Sequence, residues 1–174
     1  MRPVILSEYN PNWLNWFIQL KSYLTKILGG LMIEIEHVGS TAVPKMVAKP
    51  IIDMNVVIER QNFNKIKENL ENIGYAHQGD LGITGREAFD LINKELKKKL
   101  PPHYLYVCDK DNLELKRQLT FRDFLCKHPE YIEQYSKLKN RLVKDHNGNR
   151  KFYIEGKAAL IQQILNKAFE ELDS

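Results

Sequence analysis

The run Ile51–Ile58, Ile-Ile-Asp-Met-Asn-Val-Val-Ile, constrains this chain more than any other segment. Its apolar residues are mostly β-branched and nearly continuous, which is how a central strand buried on both faces reads. Such a strand needs neighbours on either side and helices over its faces, so it commits the chain to a layered architecture of sheet and helix. Asp53 and Asn55 interrupt the pattern, and because strand side chains repeat every two residues they share one face. A carboxylate and an amide on one side of an apolar strand mark the place to look for function.

The remaining sequence supplies the layers that this strand requires. From Pro11 onward, Trp13, Phe17, Leu20, Leu24 and Leu28 recur at helical spacing, and Gly29-Gly30 ends the helix. Leu31–Val38 alternates Ile33 and Ile35 with Glu34 and Glu36, the pattern of a half-exposed strand, and runs into Gly39-Ser40-Thr41. Asn62–Ile73 predicts a crossover helix closed by Gly74. Tyr75–Gln78, Arg86–Asn93 and His103–Val107 predict further strands, with Lys94–Lys99 as a basic connector. After Asn112 the pattern changes to three helices, at about 113–127, 129–146 and 150–172. The expected fold is a mixed-sheet α/β core over about 1–111 with a carboxyl-terminal helical extension over about 112–174. One domain accommodates both, since single cores hold roughly 100–200 residues.

Composition closes off other classes. Hydrophobic residues make up 43% and charged residues 28%, the balance of a folded globular chain. No stretch approaches the ~20 continuous apolar residues of a membrane span, and Met1–Pro11 lacks the basic-then-apolar order of a signal peptide, so a cytoplasmic location is expected. Cys108 and Cys126 lie too far apart in sequence for a CxxC pair or a zinc cluster and are expected as reduced thiols. His77, His128 and His146 likewise lack metal-ligand spacing. The net charge of +4 permits phosphate binding without requiring it.

The segment His37-Val38-Gly39-Ser40-Thr41, followed by Lys49-Pro50-Ile51-Ile52-Asp53-Met54-Asn55, resembles the signature of the GrpB family. The resemblance continues through Tyr9, Pro11 and Trp13, Gly85-Arg86, His103 with Leu105–Cys108, and Leu119 with Phe121-Arg122-Asp123 and Leu125. It then extends to His128-Pro129-Glu130, Tyr135 and Leu138-Lys139, so that it covers nearly the whole chain. It implies a nucleotidyltransferase-like fold, because the family belongs to that superfamily. It does not by itself fix an activity, since one fold hosts many.

Physical chemistry assigns the motif two possible roles. A glycine after a strand makes an ordinary tight turn, and it also lets phosphate oxygens approach backbone N–H groups, with Ser40 and Thr41 adding hydroxyls. Nucleotidyl transfer uses carboxylates two apart on a strand to hold divalent metal. Asp53 is the first, and as catalytic and metal-binding candidate it would carry Mg²⁺. Asn55 occupies the second position, where an amide ligates Mg²⁺ without contributing charge. Asp80, Glu87 and Asp90 are the candidates for a third acid, and spacing does not choose among them.

Lys49, Arg86 and Arg122 are the cations expected near an anionic ligand, the two arginines by resemblance, with an Arg122–Asp123 structural pair as the alternative. His103 and His37 are candidate acids, bases or phosphate donors, or else satisfy backbone groups. Three functions follow: a binding domain for a nucleotide or other phosphorylated small molecule, an active Mg²⁺-dependent nucleotidyltransferase, and a small RNA-binding module. The last would use Lys137, Arg141 and Lys144 beside the buried stripe Ile132, Tyr135, Leu138 and Leu142.

Overall fold

A computed structural model describes residues 3–173. Five strands form one mixed sheet in the order β1-β2-β5-β4-β3. They are β1 (Met32–Val38), β2 (Ile52–Ile58), β3 (Tyr75–His77), β4 (Arg86–Leu91) and β5 (His103–Asp109). β2 pairs antiparallel with β1 and parallel with β5, while β4 pairs antiparallel with both β5 and β3. The helices are α1 (Asn12–Leu28), α2 (Phe63–Asn72), α3 (Lys94–Lys99), α4 (Leu113–Lys127), α5 (Pro129–Asp145) and α6 (Arg150–Leu172). This is the mixed-sheet α/β architecture expected from the sequence, with three helices following the last strand.

The two faces of the sheet have different chemistry. On one, Ile52, Met54, Val56 and Ile58 of β2 join Leu105 and Val107 of β5 against α1 and α2, whose Trp13, Leu20, Leu24, Ile66 and Leu70 are all fully buried. The α1 stripe contains the five residues expected from the sequence. On the other face, Val57 and Cys108 meet Leu115 of α4, and α5 and α6 pack beside it through Leu125, Tyr135, Ile164 and Ala168. Asp53 and Asn55 belong to this second face, in register with Tyr104 and Tyr106 of β5. Residues at the amino terminus also join the helical layer: Val4 N–H donates to Gly148 O at 2.8 Å, and Val4 packs with Leu142 and Tyr153.

Two local expectations are corrected. Lys94–Lys99 is a short helix, because the Asn93 side chain accepts from the N–H groups of Glu95 and Leu96 and so satisfies the first turn. Ile33 is exposed, because the β1–β2 register shifts between Met32 and Glu34 and turns it out of the alternation.

Gly74 ends α2 with φ of 98°, and its carbonyl accepts from both Ile92 and Asn93. A Cβ there would stand 2.4 Å from Asn93 Cβ. Gly74→Ala is therefore expected to cost roughly 2–4 kcal/mol in urea unfolding, from a strained backbone together with a steric clash. A loss under about 0.5 kcal/mol would mean that the α2–β3 turn yields easily.

Candidate functional site

The site forms where β1 hands over to β2. Val38, the last residue of β1, pairs with Asp53, so Gly39 comes directly against the Asp53 side chain. Gly39 has φ of 74°, and a Cβ built on it would lie 2.6 Å from Asp53 Oδ2. Only glycine fits that conformation at that distance. The serine turn and the carboxylate are thus held across from each other, as the functional reading of the sequence requires.

A cleft of about 200 Å³ opens beside them, lined by Ser40, Lys49, Asp53, Tyr153 and Lys157 among others. Lys139 of α5, only 1% exposed, reaches in from behind. Its Nζ donates to Ser40 Oγ at 3.0 Å and to the Val47 carbonyl, and it lies 4.4 Å from the Tyr135 ring centroid. Because Ser40 Oγ accepts from Lys139, its own proton is available to a ligand. Lys157 of α6 sits over Tyr153 at 4.3 Å, and Lys49 over Tyr104 at 5.6 Å. A second cleft of about 210 Å³ shares Gly39, Asp53 and Phe121 with the first and is lined on its far side by Arg86, Tyr106 and Gln118.

Burial governs the ionisation of this cluster. It pushes the Asp53 carboxyl up to about 6, against the pull of Lys49, Lys157 and Arg86. It pushes Lys157 down to about 8, helped by Lys49 and opposed by Asp53. Lys139 falls to about 7, through burial first and the charge of Lys157 second. Lys49 also falls below the ordinary lysine range through burial, with Asp53 opposing and Arg150 assisting. One carboxylate is surrounded by more positive charge than it can balance.

Several expected site residues are engaged elsewhere. Thr41 Oγ1 donates to the Ile51 carbonyl at 3.3 Å and accepts from His37 Nε2 at 3.0 Å, so its hydroxyl is spent inside the turn. His37 stacks on Phe17, and burial followed by the charge of Arg122 holds it down to about 4, which leaves it neutral. His103 uses Nδ1 on the Pro101 carbonyl and Nε2 on the Tyr75 hydroxyl, both at 2.7 Å, on the opposite sheet face from Asp53. Arg122 binds Glu36 at 2.8 Å, Asp123 at 2.7 Å and the His37 carbonyl at 2.9 Å, and lines neither cleft. It ties α4 to β1 and fulfils the structural-pair alternative.

The donor set does not suit a pair of divalent ions. Asn55 is fully buried, its Nδ2 donates to Gln118 Oε1 at 2.6 Å, and its Oδ1 has no partner, so it is closed to an ion arriving from the cleft. Glu87 pairs with His77 at 2.7 Å, Asp80 accepts from Gly82 N–H in its own loop, and Asp90 is exposed at the β3 edge. Asp53 is the one carboxylate lining either cleft among the described residues. Its neighbours are cations, which repel Mg²⁺.

Lys139 and Lys157 are the residues that sequence reasoning missed. The signal for Lys139 was present: the stripe Ile132, Tyr135, Leu142 continues helically through position 139, not 138, and Lys139 is the buried one while Leu138 is half-buried. A lysine on an apolar stripe is a stronger mark than the solvated face beside it. Lys157 carries no comparable signal, because only the return of α6 over β2 brings it to Asp53.

Fold and site together define a mixed α/β protein with a single carboxylate set among cations in a cleft beside its central strand. The chain belongs to the GrpB family, whose family model, described as GrpB protein, matches residues 3–167. It is 32% identical over 168 residues to the glutamate-rich protein GrpB of Alkalihalophilus pseudofirmus, covering 94% of this chain and 95% of that one. It is 34% identical over 157 residues to the UPF0157 protein YqkA of Bacillus subtilis, covering 90% of this chain but 44% of the relative's length. The crystal structure of the conserved protein GrpB from Enterococcus faecalis superimposes with a TM-score of 0.84 at 31% identity, over 98% of this chain and 100% of that one.

The raised Asp53 pKa sets a pH test. Between about 4, the ordinary aspartate value, and about 6 the native carboxyl holds a proton that the unfolded chain has lost. Stability contributed by this group therefore falls as pH rises through that window. The difference in unfolding free energy between wild type and Asp53→Asn is expected to change by about 1–2 kcal/mol from pH 4 to 6.5. A flat difference profile would show the carboxyl to be solvated.

Proposed function

We propose that the protein binds a nucleotide or other phosphorylated small molecule in the cleft between the Gly39-Ser40 turn and Asp53. The observation that carries this reading is the excess of positive charge: Lys49 and Lys157 line the cleft beside one carboxylate, and Lys139 backs Ser40. An anion entering there relieves cations that burial has left undercompensated, and it meets a free serine proton in surroundings of low dielectric, where charge-assisted hydrogen bonds are strong. Asp53, which carries its proton up to about pH 6, serves as hydrogen-bond partner to a ligand hydroxyl or phosphate edge. Metal-dependent nucleotidyl transfer has no donor set to support it. The RNA reading draws less support, since Lys137, one of the three cations it relies on, is already paired with Glu133 at 2.5 Å.

Three outcomes test the reading. Sulfate, phosphate and ATP are expected to raise the Tm of the wild-type chain, since a ligand selective for the native state stabilises it by about 2.7 kcal/mol at a hundred times Kd. Sulfate does not titrate in this range, so its affinity should fall as pH rises from 7 to 9.5, through the loss of the Lys139 proton at about 7 and of the Lys157 proton at about 8. In Lys157→Met the ligand-free protein should gain about 1 kcal/mol at pH 7 as a buried charge is removed, and ligand protection should vanish. Protection by anions that persists in Lys157→Met, or that is insensitive to pH between 7 and 9.5, would refute the assignment.

A further inference from the structure

The second cleft extends the site past Asp53. It shares Gly39, Asp53 and Phe121 with the lysine-lined cleft, so the two meet at the carboxylate. Its far wall holds Arg86, which is 9% exposed, and whose Nε is buried without a hydrogen-bond partner. The Arg86 guanidinium carbon sits over the Tyr106 ring, 4.1 Å from its centroid, which helps to hold the group in place. Its nearest carboxylate, Glu114, stands 3.9 Å away and is already bound by Arg117 at 3.0 Å. Two guanidinium groups thus share one carboxylate, and the more buried of them is left with its fork unused. An arginine in that state is built to take a planar or tetrahedral anion in two parallel hydrogen bonds.

Size narrows the ligand. Each cleft is smaller than the roughly 300–1,000 Å³ that drug-sized ligands occupy, and the two adjoin at Gly39, Asp53 and Phe121, with Lys49 and Lys157 lining one and Arg86 the other. We propose that the ligand is a small phosphorylated acid: its phosphate rests on Ser40, Lys49 and Lys157, its second anionic group, a carboxylate, pairs with the Arg86 fork, and a hydroxyl between them meets Asp53. This assignment rests on the phosphate-binding reading and adds the chemistry of the ligand's other end. Arg86 is then the residue that sets specificity, because a ligand lacking the second anion leaves the guanidinium buried and unpaired.

Calorimetric titration of the full chain with inorganic phosphate, glycerol 3-phosphate and 3-phosphoglycerate tests it, since the last two differ chiefly in the terminal carboxylate. Wild type should bind 3-phosphoglycerate at least tenfold more tightly than glycerol 3-phosphate. Arg86→Gln should bring the two within twofold of each other while leaving inorganic phosphate within twofold of wild type, which also reports that the lysine side has folded. Arg86→Lys, which keeps the charge but not the fork, should lose most of the preference and guards against a folding defect in the glutamine variant. Equal affinity for the two ligands in wild type, or a preference that survives both substitutions, overturns this inference and leaves the phosphate site intact. No binding of any of the three to wild type overturns both.

Discussion

The approach of the Gly39 backbone to the Asp53 side chain is the constraint on which the site depends. β2 is buried on both faces by apolar neighbours, so its register with β1 cannot slip by one residue without turning Asp53 and Asn55 into the α1 core. That register puts Gly39 beside the carboxylate, where a Cβ at 2.6 Å would displace it. The turn is thereby forced into a conformation with positive φ, and the 3-10 turn that follows, Ser40–Ala42, presents Ser40 to the cleft while Thr41 is drawn inward to His37 and Ile51. Core packing, through strand register alone, decides which of two adjacent hydroxyls is free for a ligand.

The carboxyl-terminal helices complete what the sheet begins. α5 contributes Lys139 and α6 contributes Lys157, so half of the cationic ring belongs to the helical layer and cannot form unless that layer docks on the second sheet face. Arg122 secures part of this docking by joining α4 to Glu36 and the His37 carbonyl of β1. Its two-pronged pairing across elements is worth more than an exposed ion pair, because it is half-buried and also satisfies a backbone acceptor. The same arginine that the family resemblance places near a ligand thus holds the walls of the site together without touching its contents.

Legibility followed the kind of physics involved. The α1 stripe, the doubly buried β2 and the Gly39–Asp53 apposition could be read because each is fixed by short-range periodicity or by a glycine's steric freedom. Lys94–Lys99 reads as a connector when its charge is weighed, but the Asn93 cap outweighs charge repulsion over a single turn. Ile33 fails the alternation because a bulge is a tertiary adjustment that periodicity does not encode. Lys157 comes from a distant segment, and only the docking of α6 brings it to Asp53, whereas Arg86, expected near the site from the resemblance, reaches it through the β4–β5 pairing. The histidines take the structural alternative offered for them: His103 bonds through both ring nitrogens, and the buried His37 bonds through Nε2 to Thr41 while stacked on Phe17.

The polarity of the site separates it from the metal chemistry that its strand motif suggests. A two-metal centre concentrates carboxylates so that divalent cations neutralise them, and the transferring phosphate then approaches a surface of low net charge. Here a single carboxylate whose proton is retained to about pH 6 stands among lysines and an arginine, with an amide sealed at the neighbouring strand position. In the proposed phosphate site the lysines take the role of charge compensation that metal plays elsewhere, at a cost to the ligand-free protein, since burial lowers Lys139 to about 7 and Lys157 to about 8. In the proposed reading a bound anion raises the share of these lysines that holds a proton, and so offsets part of that cost.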